Sequence, residues 1–93
     1  MSQERDIVKK ASHVLSSLIT EKLGKSEIVI HDEEVAENSE IEIEEIEKFG
    51  EQIAEQCTSA FNLGSQQGSE NFSVWHSSNI KCFVAVKPYH SHR

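Results

Sequence analysis

"SEIEIEEIEKFG", Ser39 to Gly50, admits two backbone conformations, and the choice between them decides the fold. Glu40-Ile41-Glu42-Ile43-Glu44 alternates polar and apolar side chains, as a half-buried strand does. Beyond it, Ile43, Ile46, Gly50, Ile53, Cys57 and Ala60 recur at alternating three- and four-residue steps, a period no strand can use. Ser39 with Glu42 has the S-x-x-E spacing of a capping box, in which each side chain satisfies a free N–H of the first helical turn. Six periodic positions outweigh a five-residue alternation, so the stretch predicts the start of a helix running from about 40 to 62. Only Ile41 fits poorly, because it points away from the apolar stripe. The alternative is a hairpin of residues 27–31 with 39–44, the helix then beginning near Glu45.

Working outward, Ile7, Ala11, Val14, Leu15 and Leu18 form one stripe, flanked by Val8 and Ile19, and predict a helix over residues 3–23. Gly24 supplies its stop, and Lys22 and Lys25 suit the negative end of the helix dipole. Glu27-Ile28-Val29-Ile30-His31 is a β-branched run and reads as a strand. Residues 32–38 read as an acidic connection without periodicity. After the polar residues 62–70, two strands are expected at 71–77 and 79–88, joined by a tight turn at Ser77-Ser78-Asn79. A three-residue loop would set position 74 opposite 82. Phe72, Val74, Ile80, Cys82, Val84 and Val86 would then face the core, and Trp75 and Phe83 would share the other face with Lys81 and Lys87.

The expected fold class is α+β: two helices on one face of a small, largely antiparallel three-stranded sheet, in the order α-β-α-β-β. Residues 1–93 are read as a single small domain with a frayed tail at about 89–93. The order of elements is similar to that of small dimerising light-chain and Roadblock-type modules; no motif carries the likeness and no family is assigned.

Charge is distributed unevenly. Residues 1–25 carry +2, residues 26–70 carry −12 with Lys48 their only base, and residues 71–93 carry +3, giving the net charge of −7. A balance this acidic argues against direct binding to nucleic acid or anionic lipid. No membrane span is expected, and Glu4, Arg5, Asp6, Lys9 and Lys10 near the start are unlike a secretion signal. Cys57 and Cys82 are then expected as reduced, buried thiols of a cytoplasmic protein.

Two surfaces stand out. On one continuous helix Glu40, Glu44, Glu47, Glu51 and Glu55 would lie within about 80° of arc, a dense acidic face for which solvation is one explanation and a basic partner the other. Trp75 and Phe83, framed by Lys81 and Lys87, would form an aromatic sheet face, and two helices cannot cover both sides of a sheet. Catalysis has no visible basis: exposed carboxylates lack the burial or charge partner that shifts a pKa, and no nucleophile or phosphate-loop motif occurs. His90 and His92 lack a fixed third ligand, so neither metal nor other cofactor is expected. The sequence therefore points to a non-catalytic small subunit or adaptor that binds a protein partner, forms a homodimer, or both, through an exposed sheet face or edge. The alternative function is an acidic inhibitor or decoy that occupies a basic site on its partner, a nucleic-acid-binding site being one candidate.

Overall fold

A computed structural model describes residues 3–22, 24–64 and 73–86. Seven elements follow in order: α1 (Gln3–Glu21), β1 (Glu27–His31), α2 (Asp32–Ser39), α3 (Ile43–Lys48), α4 (Gly50–Gly64), β2 (Ser73–Ser77) and β3 (Cys82–Val86). The class is α+β, with helices plus a three-stranded antiparallel sheet ordered β1-β3-β2. Among the described residues four helices stand where two were expected.

The expected helix at 3–23 is present as α1, and Leu23 lies outside the described residues. Its buried stripe is Val8, Ala11, Ser12, Leu15, Leu18 and Ile19, while Ile7 and Val14 are only partly covered. Gly24 follows at φ +113°, a conformation that side chains rarely adopt, and the chain turns there into β1. β1 occupies the expected residues and alternates between exposed and buried.

The quoted stretch resolves in a third way. Residues 32–39 form α2 rather than a connection, with Asp32, Glu33 and Glu34 placed favourably in its positive first turn. Asp32, Val35 and Ser39 point inward at helical spacing, but two of the three are polar, so hydrophobic periodicity cannot reveal them. Ser39 is the last residue of α2 and no cap; its buried Oγ donates to Val35 O at 2.6 Å. Glu40 then adopts φ 61°, and the amides of Glu40 and Ile41 both reach Ala36 O. This left-handed ending places the C″ residue on apolar surface, and Ile41 packs against the core accordingly. Ile41 fits no helical stripe because it belongs to no helix.

The helix predicted over 40–62 is therefore α3 and α4, bent at Phe49 (φ −104°, ψ 20°). Phe49 N–H donates to Glu45 O at 3.0 Å and Ile53 N–H donates to Phe49 O at 2.9 Å, so the backbone bonding bridges the bend. The alternative hairpin of 27–31 with 39–44 does not form, because β1 pairs with β3.

The terminal hairpin is displaced from its expected register. Val74 pairs with Ala85, Trp75 with Val84 and Ser77 with Cys82, which leaves a four-residue turn at 78–81. Lys81 takes φ 53° there, and its carbonyl accepts from Asp32 N–H at 3.0 Å. One extra turn residue reverses the facing of all of β3. Phe83 and Ala85 therefore join Val74, Ile28 and Ile30 in the core beneath the helices. Cys82 and Val84 alternate onto the opposite side, and Ile80 lies exposed in the turn. Phe72 and the tail at 89–93 lie outside the described residues.

Candidate functional site

The face of the sheet turned away from the helices carries one apolar row. Val29 of β1 stands opposite Val84 of β3, and Val84 stands opposite Trp75 of β2. Trp75 keeps 49% of its surface exposed and Val29 44%, with Val84 nearly covered between them. β2 keeps its predicted facing, with Val74 inward and Trp75 outward. Phe83 does not share that outer face: it is 1% exposed and belongs to the core.

The expected acidic face is also rearranged. Glu40 is the left-handed residue after α2, Glu44 and Glu47 lie on α3, and Glu51 and Glu55 lie on α4. No single helix carries all five. Lys81, from the turn, reaches Glu47 at 3.6 Å instead of framing an aromatic pair. Lys87 lies outside the described residues, as do His90 and His92. The structure does bring three of the predicted residues together: Trp75, Glu51 and Glu55 line a shallow depression of about 300 Å³ between α4 and β2. Thr58 fastens that junction, because its Oγ1 accepts from Val74 N–H at 2.9 Å and lies 3.2 Å from Val74 O.

At the floor of this depression lies a buried hydrogen-bonded pair that the sequence did not announce. His76 Nε2–H donates to the Asp32 carboxylate, 3.0 Å from both oxygens. The side chains are only 4% and 1% exposed. The His76 ring stacks at a tilt on Phe83, its cross-strand partner, with centroids 4.6 Å apart. On its other side it lies against Gly50, where a Cβ would overlap the ring. That contact gives the mid-sequence glycine its reason, since any larger residue would collide with the sheet.

Asp32 and His76 do not combine with Cys82 into a nucleophilic triad. Cys82 alternates onto the outer side of β3, whereas His76 faces inward with Phe83. Burial pushes the Cys82 thiol above its ordinary range, and the negative charge of Asp32 pushes it further, so the thiolate needed for attack is disfavoured. Cys57 is raised to about 11 by burial, against the opposing hydrogen bond with Ser16 Oγ at 3.2 Å. Both are free, buried thiols. Among the described residues no three His, Cys, Asp or Glu side chains are grouped to hold a metal ion, and no helix is long and apolar enough to cross a membrane.

Of this arrangement, Trp75, Glu51 and Glu55 were legible as residue types on two separate surfaces, but their meeting and the Asp32–His76 pair were not. Its only local signal is an aspartate directly after a strand, which is too common to single out. The chain matches no protein-family model, no curated protein and no solved structure.

Proposed function

We propose that this chain is a non-catalytic protein-binding module whose docking site centres on Trp75. The partner it suits presents a lysine or arginine flanked by apolar side chains. The observation that carries this reading is the half-exposed Trp75, set between an apolar row (Val84, Val29) and two carboxylates (Glu51, Glu55). An aromatic face attracts a cation, more so where carboxylates stand beside it, and the aliphatic stem of the same side chain covers apolar surface. The net charge of −7 adds a long-range attraction for basic partners. A binding role is favoured over a catalytic one because the Asp32–His76 side chains are almost wholly buried and bonded to each other. The acidic decoy is the weaker reading, because Glu40 lies outside α3 and α4 and Glu47 is engaged by Lys81.

Trp75 is the only tryptophan, so its fluorescence reports on the site directly. Titration with an alternating leucine–arginine peptide should shift its emission to shorter wavelength, with an affinity that falls as salt is raised. A leucine–glutamate peptide of the same length should leave the emission unchanged, and Glu51→Lys with Glu55→Lys should abolish the response. Equal responses to both peptides, or no response to either, would remove the basis for this assignment.

A further inference from the structure

The two edges of the sheet are treated differently by the rest of the molecule. Asp32 N–H bonds to Lys81 O, which makes Asp32 and Lys81 a hydrogen-bonded pair of the β1–β3 ladder. Antiparallel pairs alternate, so Ile30 and Ile28 also direct their backbone groups toward β3. The N–H and C=O groups of Glu27, Val29 and His31 consequently point away from the sheet, along the free edge of β1. On the β2 edge the same alternation turns Val74 outward, and there Thr58 of α4 meets both of its backbone groups. Among the described residues no hydrogen bond meets the outward groups of β1. Glu27, Val29 and His31 are all exposed.

An edge of this kind accepts another strand, and the side chains of β1 say which one. If a second β1 lies antiparallel about a two-fold axis at Val29, Val29 meets Val29, Glu27 meets the second copy's His31, and His31 meets the second copy's Glu27. These are the three residues whose backbone groups point outward, so the register forms about six N–H···O=C bonds. A slip of two residues loses a residue pair and sets Glu27 or His31 against valine. The central register places a carboxylate beside an imidazole twice, and an imidazole in either charge state has an N–H to donate. The row Trp75–Val84–Val29 then continues into its own image and makes one apolar band across six strands.

We infer that the free edge of β1 pairs with β1 of a second copy of this chain, in the register that sets Glu27 against His31. This interface is the strand edge, whereas the proposed docking site is the sheet face at Trp75, so either can fail alone.

The test is mass in solution by light scattering on the full chain, followed by exchange of the charges. Between about 10 and about 500 µM the mass should rise from 10.5 kDa toward twice that value. Glu27→Lys alone, and His31→Glu alone, should each weaken the dimer about tenfold, since each change spoils two symmetric cross-strand pairs. The double variant restores opposite charges and should recover the dimer, which a merely destabilised fold would not do. Val29→Cys should form an intermolecular disulfide on mild oxidation, because hydrogen-bonded partners have Cα atoms about 5.5 Å apart, within disulfide reach. Glu27→Cys should not, because its equivalents lie about four residues apart along the ladder. A mass of 10.5 kDa throughout the range overturns the inference. So does a dimer that is insensitive to the charge changes, cross-links equally through both cysteines, or dissociates with Trp75→Ala.

Discussion

Replacing Gly50 with alanine adds one methyl group at the point where α4 meets the sheet, and that methyl has nowhere to go. The Cβ would overlap the His76 ring. The ring is held by Asp32 at 3.0 Å on one side and by Phe83 at 4.6 Å on another. If it stays, the start of α4 must shift, and overpacking of this kind costs about 1–3 kcal/mol. If it leaves, Asp32 is stranded as a buried unpaired carboxylate, at about 3–5 kcal/mol. The first route is the cheaper one. Alanine's helix propensity returns less than about 1 kcal/mol, because position 50 opens α4 instead of lying in its interior. Gly50→Ala should therefore destabilise by about 2 kcal/mol, which for a chain of this size lowers the melting temperature by about 10 °C. Thermal melts by far-UV dichroism and urea titrations would measure it. A double-mutant cycle tests the cause. In a His76→Ala background the whole ring is gone, so the same substitution should add almost nothing to the cost of that variant. An unchanged melting temperature for Gly50→Ala, or a penalty that persists beside His76→Ala, would refute the steric origin.

The register of the terminal hairpin makes a contrast between two aromatics. Phe83→Ala should cost about 3–5 kcal/mol, as for any large buried side chain, whereas Trp75→Ala should cost less than about 1.5 kcal/mol. Comparable costs in urea denaturation would mean that the two side chains share a face after all. Alkaline pH offers another check. Cys57 is raised from 9.0 to about 11 in the folded chain, so the native state holds its proton more tightly than the unfolded state does. The associated stability is fully present below pH 9 and is lost as pH rises toward 11, to a total of about 3 kcal/mol. Cys57→Ala should flatten that part of the decline in urea midpoints, and parallel curves for variant and parent would contradict it.

Hydrophobic period sufficed wherever burial is apolar and local. The stripe of α1 and the β-branched run of β1 could each be read without knowing what they pack against, because a buried face that is apolar repeats at the period of its own element. The α+β class and the outward facing of Trp75 followed from the same signal. Tertiary structure decided the rest. α2 escaped notice because Asp32 and Ser39 are inward-facing but polar, and Asp32 is acceptable there only because His76 arrives from 44 positions away. The break at Glu40 depends on Ile41 finding the core, a contact whose other side no local window contains. The facing of β3 turned on a single residue of loop length. Turns of three and four residues are both open to "SSNIK", residues 77–81, and only the bond from Asp32 N–H to Lys81 O, together with the fit of Phe83 against His76, selects the longer one. Local sequence determines which segments bury a face; which face it is depends on partners distant along the chain, since a strand's two sides differ by one residue and the chemistry on either side of β3 is equally apolar.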